Sequence, residues 1–312
     1  MTGGTLTDTG SERDLTGYTM LISGGSRGIG LAVARQFAAA GGNVAMLAKT
    51  DQPHPTLPGT IHTAVAEIED QGGKAIGIVG DVRNDADIAE AVEKAVTAFG
   101  GIDVVVNNAS VLNTSGTLDL PMKRFDLMMG VNVRGTFALT RAALPELLRR
   151  GGHVVTLAPP LNLSRRWLGE HPGYMLAKYG MSLAAMGIAA EFADRKISSN
   201  CVWPQSLIAT SAVRNLYGGD EALARARDPQ IMADAVLALV SHEPGEITGQ
   251  TFLDVEVLGQ HGIRDLSGYG ASEGIGFDIF VDPDHADPDH ADPDHAAGDR
   301  PDRADSGTRV SA

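Results

Sequence analysis

Tyr174 and Lys178 stand four residues apart in a stretch of helical periodicity, which sets a phenol and an ammonium one turn apart on one face. A free tyrosine, with a pKa of about 10, exchanges protons poorly at neutral pH. A cation one turn away favours the phenolate and brings that pKa down. The pair can then give a proton to, or take one from, an oxygen on a carbon undergoing hydride transfer. A second stretch suits the other partner of such a reaction. Ile22 to Gly30 reads Ile-Ser-Gly-Gly-Ser-Arg-Gly-Ile-Gly, a glycine-rich turn between an apolar run and an amphipathic one. Gly24, Gly28 and Gly30 clear side chains from a sharp strand-to-helix turn. Backbone N–H groups and the positive end of the helix can then face a pyrophosphate.

Both features need a scaffold, and the apolar periodicity supplies one. Short strands are expected at 18–22, 43–48, 74–79, 102–106, 153–157, 197–202 and 251–255. Helices are expected between them at 29–40, 61–71, 85–99, 123–149, 172–193, 208–217 and 229–241. Asn84 caps the third of these, and Pro145 ends or bends the fourth. Such alternation gives an α/β fold, a Rossmann-type doubly wound parallel sheet of about seven strands with helices on both faces. Ligands of these sheets bind at the carboxyl ends of the strands. Every motif named here falls at such an end or in the helix that follows.

Composition divides the 312 residues into a flexible leader at 1–16, a folded domain at 17–265 and an acidic low-complexity tail at 266–312, expected to be disordered. The net charge is −14, and Asp282 to Ala312 carries six of those negative charges. An acidic surface argues against a nucleic-acid partner. No run is apolar enough for membrane insertion, and the first residues do not form a signal peptide. The lone Cys201 leaves no internal disulfide and suits a reducing, cytoplasmic setting. Asp-Pro-Asp-His-Ala occurs three times from Asp282 to Ala296. His285, His290 and His295 could bind a divalent metal, but a proline-containing repeat imposes no coordination geometry, so no metal site is expected.

Gly24-x-x-x-Gly28-x-Gly30, Asn107-Asn108-Ala109, Asn132 in Val-Asn-Val-Arg-Gly, and Tyr174-x-x-x-Lys178 occur in the order and spacing of the classical short-chain dehydrogenases/reductases. The chain resembles that family from about Gly17 to Gly259. Pro159 to Leu163, Tyr174 to Ser182 and Trp203-Pro204 look like its hydroxysteroid dehydrogenase-like protein 2 subgroup, without the sterol-carrier domain that some such proteins carry. The resemblance implies an oxidoreductase in which Tyr174 is the general acid/base. Lys178 would lower its pKa and hold the nicotinamide ribose, and Asn132 would fix a water in a proton relay reaching Lys178. The dinucleotide would lie on Gly24, Ser26, Arg27, Gly28, Ile29 and Gly30. Asp81 and Val82 would meet the adenine, Asn107, Asn108 and Ala109 the adenosine side, and Pro204 and Thr210 would lie toward the carboxamide.

One departure bears on catalysis. The family's catalytic serine sits at the end of the fifth strand, where this chain reads Thr156-Leu157-Ala158-Pro159. Losing such a donor typically costs about two to three orders of magnitude in rate. Asn162 or Ser164 could supply the bond from the following loop; the alternative is a protein that binds cofactor with weak or no turnover. Lys49 at the end of the second strand and Arg27 in the glycine turn, with no carboxylate at that strand end, favour the 2′-phosphate of NADP(H) over NAD(H). Leu161, Leu163, Trp167, Leu168 and Trp203 either surround an apolar carbonyl or alcohol substrate or pack the loop. Arg165-Arg166 either meets an anionic handle or is a solvated pair. An enoyl-thioester reductase would use the same parts. The helix from Tyr174 to Ala193 is apolar nearly all round, which calls for cover on both sides and a homodimer or homotetramer.

Overall fold

Seven short apolar runs become seven parallel strands in the computed structural model, which describes residues 14–53, 59–216, 218–271 and 274–283. The chain divides into two units, Met1–Val281 and Asp282–Ala312, and every element below lies in the first. The strands are β1 (Thr19–Ser23), β2 (Asn43–Ala48), β3 (Lys74–Val79), β4 (Val104–Asn107), β5 (Gly152–Thr156), β6 (Ile197–Trp203) and β7 (Thr251–Leu253). Their order is β3-β2-β1-β4-β5-β6-β7, the doubly wound arrangement, with the reversal of direction between β1 and β4. Register sets Ser23 beside Leu47 on one side and Asn107 on the other, so the glycine turn and the Asn107-Asn108-Ala109 run leave the sheet at one level. Leu21, Val105, Val154 and Ile197 are wholly or almost wholly buried, as strands covered on both faces must be.

The helices are α1 (Gly28–Ala39), α2 (Ile61–Asp70), α3 (Asp85–Phe99), α4 (Met122–Met128), α5 (Gly135–Arg150), α6 (Arg165–Glu170), α7 (Pro172–Glu191), α8 (Ser211–Leu216), α9 (Asp220–Ala224), α10 (Gln230–Val240) and α11 (Asp254–Gln260). Local chemistry starts several of them. The Thr60 hydroxyl accepts from Thr63 N while Thr63 answers Thr60 N, a reciprocal cap on α2. Asn84 caps α3 by accepting from Ala86 N, as its sequence position predicts. Gly100, at φ +86°, then turns the chain off α3 in a left-handed conformation that a side chain would resist. Residues of α1, α2 and α10 build the core on one side of the sheet, and residues of α3 and α5 build it on the other.

Three expectations are revised. The helix expected at 123–149 is α4, a π-helical stretch from Met129 to Arg134, and α5; Pro145 does not end it, since α5 runs on to Arg150. The last strand stops at Leu253 because Leu253 N–H is taken by the Glu256 carboxylate, which starts α11. The third concerns the domain end placed at 265. Tyr269, Ile279, Phe280 and Val281 are buried, and Tyr269 donates its hydroxyl proton to Asp234. Four large apolar residues between Phe277 and Val281 explain why this stretch folds onto the body. The leader before Asp14 and the three acidic repeats, but for Asp282 and Pro283, lie outside the described residues.

Candidate active site at the carboxyl edge of the sheet

Lys178 and Tyr174 share the first turns of α7, where Pro172 opens the helix without needing an N–H partner. Both are almost fully buried, at 2% and 5% exposure. The Lys178 ammonium donates to the carbonyl of Leu157, just past the end of β5, at 2.9 Å and lies 4.9 Å from the Trp203 ring. Its place is therefore fixed by the fifth and sixth strands together. Ser182, one turn further along, donates to Pro159 O at 2.6 Å and holds the same loop to α7. Loss of solvent lowers the Lys178 pKa to about 7, against the pull of Asp278 and Cys201. Loss of solvent likewise raises the Asp278 carboxyl to about 7, with Lys178 pulling it back.

Asn132 lies in the π-helical stretch and is fully buried. Its side chain accepts from Val111 N at 2.8 Å and donates to Val111 O at 3.0 Å, a two-point clamp on the loop after β4. Asn107 turns inward and donates to Thr140 and Thr156, so its side chain ties β4 to α5 and β5 and does not line the adenosine side. Asn108 does the work at the turn: its amide donates to Ser23 O at 3.0 Å and Gly24 O at 2.9 Å. The N–H groups of Asn108 and Ala109 both reach the Ser23 hydroxyl.

The turn itself has the form a dinucleotide needs. A Cβ on Gly30 would run into Gly24 O and sit 2.5 Å from the Asn108 amide, and one on Gly24 would sit 2.8 Å from it. Gly28 adopts φ +54° and faces Thr210, whose methyl would be 3.3 Å from a Cβ there. Arg27, at the N-cap of α1, gives no side-chain cap, and the first turn carries no acid. The opening N–H groups are therefore available to an anion, and the residues present fit a bound pyrophosphate. Arg27 donates to Gly59 O at 3.1 Å, which holds its guanidinium beside the turn. Lys49 pairs with Asp81 at 3.1 Å, and Asp81 also binds Arg83 through several contacts, which hold its carboxyl well below the usual range. Val82 packs on Gly135, and Ser26 is buried beneath the turn.

The two candidates for the missing serine separate. The Ser164 side chain is exposed and caps α6 by accepting from Trp167 N, so it is not brought to Tyr174. Asn162 is partly buried; its amide donates to Phe280 O at 3.3 Å while Tyr179 donates to its backbone carbonyl. The apolar set divides likewise. Trp167 and Trp203 are buried around Tyr174 with Leu161 packed against them, whereas Leu163 and Leu168 face outward. Arg166 lies over the Trp167 ring at 4.2 Å and pairs with Glu170 at 3.5 Å, with its side chain more than half exposed. Pro204 and Gln205 follow β6, and the Gln205 N–H is held by buried Asp254 at 2.9 Å.

Spacing and motifs did not single out the segment whose ring lies against Tyr174. Phe280 stacks on Tyr174 with ring centroids 5.9 Å apart and planes 20° from parallel. Its only sequence signal was the apolar content of Phe277-Asp278-Ile279-Phe280-Val281, set among Asp, Gly and Pro. Among the described residues no cluster of His, Cys, Asp or Glu could hold a metal ion, and no helix is long and apolar enough to cross a membrane.

Comparison with known proteins agrees with this geometry. Residues 24–254 match the family model described as Enoyl-(Acyl carrier protein) reductase. Hydroxysteroid dehydrogenase-like protein 2 of Danio rerio is 46% identical over 271 residues, 86% of this chain and 65% of that relative's length. The human protein of the same name is 43% identical over the same share of this chain. The crystal structure of a short chain dehydrogenase from Mycobacterium thermoresistibile superposes with a TM-score of 0.81 at 50% identity, over 86% of this chain and 96% of that one. Turn, strand order, Tyr174 and Lys178 all point the same way, and the chain belongs to the short-chain dehydrogenase/reductase family of oxidoreductases.

Proposed function

We propose that the protein is an NADP(H)-dependent oxidoreductase that interconverts a carbonyl and an alcohol on an apolar small molecule, with Tyr174 as general acid/base. The observation that carries this reading is the buried Tyr174–Lys178 pair on α7, anchored through Leu157 to the end of β5. A dinucleotide would rest on the turn from Gly24 to Gly30, with Ser26, Ile29, Val82, Asn108, Ala109, Pro204 and Thr210 around it. When bound, it supplies or accepts the hydride. The chain's own residues manage the proton: Tyr174 exchanges it with the substrate oxygen, and the Lys178 ammonium favours the phenolate. Asn162 donates the hydrogen bond that the missing serine would have given. Asn132 positions the loop at Val111 beside them.

Preference for NADP(H) rests on charge just past β2 and β3 and at the start of α1. Lys49, Arg83 and Arg27 stand there with Asp81, and no carboxylate ends β2. A solved relative from Beutenbergia cavernae, 26% identical, holds NADP at low occupancy. A homodimer or homotetramer belongs to this reading, since Leu176 and Leu183, seven residues apart on α7, stay about half exposed beside the exposed Phe137 of α5. The single, buried Cys201 is compatible with a reducing cytoplasmic setting, which belongs to the same reading.

The name of the matching family model favours a second reading, hydride transfer to a carbon–carbon double bond. NADPH oxidation by paired ketone and enoyl-thioester substrates separates the two. The test of the first reading is Tyr174→Phe, which should lower ketone reduction by about 10²- to 10⁴-fold while NADPH affinity stays within a few-fold. Ketone turnover unaffected by that change would overturn it.

A further inference from the structure

The last part of the folded unit returns across the catalytic residues. Leu207 N–H donates to Gly276 O, Gly276 N–H to Arg225 O, and Asp278 N–H to Gln205 O, at 2.8, 3.1 and 3.0 Å. Phe277 forms an isolated antiparallel bridge with Ser206. Trp203 Nε1 then donates to Ile279 O at 2.9 Å, and Asn162 Nδ2 to Phe280 O at 3.3 Å. Phe280 is held at φ +73°, a conformation bulky residues seldom adopt. Its ring meets those of Tyr179, Trp167, Tyr174 and Trp203 at 5.0, 5.7, 5.9 and 6.4 Å.

Tyr174 is only 5% exposed with Phe280 in place, and a substrate oxygen must come within hydrogen-bond distance of its hydroxyl to exchange a proton with it. The cover must either shift or leave. Ile279 to Val281 are buried and Asp278 acts on Lys178, but the segment joins no strand of the sheet and its backbone bonds run to loops and to single side chains, an attachment that can be undone without unpairing the sheet. What it presents argues for what takes its place. The Phe280 carbonyl accepts from the Asn162 amide, and the Phe280 ring fills an aromatic box against Tyr174. One oxygen acceptor joined to one ring-sized apolar group is also the outline of a small apolar ketone.

We propose that Gly276–Val281 is a displaceable cap in which Phe280 stands in for the substrate, its carbonyl in the oxygen's place at Asn162 and its ring in the place of an aromatic or alicyclic substituent. This rests on the carbonyl-reductase reading and narrows its substrate class to ketones and alcohols bearing a ring two carbons from the reacting carbon, the spacing of the Phe280 ring from its own carbonyl.

The test uses the full chain with saturating NADPH and 4-phenylbutan-2-one as the probe. Hydrogen-exchange mass spectrometry of the peptide spanning 276–281 should show exchange at least tenfold faster with that ketone than without it. Slower or unchanged exchange overturns the cap, because a fixed wall closing on a ligand would be protected. Phe280→Ala should raise kcat/KM for 4-phenylbutan-2-one at least fivefold, with Phe280→Leu between it and the native chain. In the absence of ketone, acrylamide should quench Trp167 and Trp203, the two tryptophans of the chain, several-fold more strongly in Phe280→Ala. Unchanged or lower values in both assays count against the proposal. The two readings fail separately. Tyr174-dependent turnover with a protected 276–281 peptide removes the cap and leaves the oxidoreductase reading. Accelerated exchange without turnover in either chain keeps the cap and removes the carbonyl chemistry.

Discussion

The Lys178 ammonium donates to the Leu157 carbonyl across 2.9 Å, which fastens the middle of the reactive helix to the end of the fifth strand. Burial makes that charge costly and brings the Lys178 pKa down to about 7. An unfolded lysine keeps its proton to about pH 10. The unfolded chain therefore binds more protons between about pH 7 and 10, and this residue makes stability rise with pH across that window. Lys178→Met should abolish the rise, which in the native chain is on the order of 2–4 kcal/mol. Urea unfolding at several values between pH 7 and pH 10 reads the slope directly, and a native-like slope in the variant would contradict the assignment.

Arg27 stands at the start of α1 without capping it, its guanidinium held by Gly59 O. Arg27→Ala should weaken NADPH binding about tenfold, equivalent to about 1.4 kcal/mol, and leave NADH binding within about twofold. Calorimetric titration with both nucleotides checks it; equal losses would mean that Arg27 does not read the 2′-phosphate.

Gly30 faces the backbone of Gly24 and the Asn108 amide with no room for a methyl group. In Gly30→Ala the turn must open, at a cost of about 1–3 kcal/mol. Thermal unfolding should show the lower stability, and NADPH affinity should fall more than tenfold. An alanine variant that binds NADPH normally would show that the turn's closeness is not required.

Asn132 makes both of its side-chain hydrogen bonds to the backbone of Val111. Asn132→Ala leaves those groups without their partner and should cost roughly 2–3 kcal/mol. It should also depress turnover while NADPH binding persists, because the loop at Val111 belongs to the reactive side. Denaturant unfolding and steady-state kinetics on the same preparation separate the two effects.

The sheet was legible in the sequence because its central strands are buried on both faces and read as unbroken apolar runs; Asn43–Ala48 and even the half-exposed Lys74–Val79 were placed to the residue. Tyr174 and Lys178 were legible because a spacing of four survives any small error in helix limits. The π-helical turn at Met129–Arg134 was not, since one widened turn hardly disturbs a helical pattern of apolar residues. Nor could spacing tell Asn107 from Asn108: neighbours on a strand end point to opposite sides, and only the sheet decides which meets Thr140 and which the glycine turn. Ser164 and Asn162 were equally near in sequence, and the start of α6 drew the serine to the surface. Phe280 was hidden by the Asp, Gly and Pro around it, because local composition does not record a distant box of aromatic rings waiting to be filled.

The reversal between β1 and β4 splits the polypeptide into two working halves. On the proposed reading the glycine turn, Lys49 and Val82, all before β4, serve the nucleotide, whereas Tyr174, Lys178, Asn162 and Phe280, which would meet the substrate, come later in the chain. New substrates could therefore be acquired by altering the later half alone, with the earlier half inherited unchanged as a common handle for the reductant.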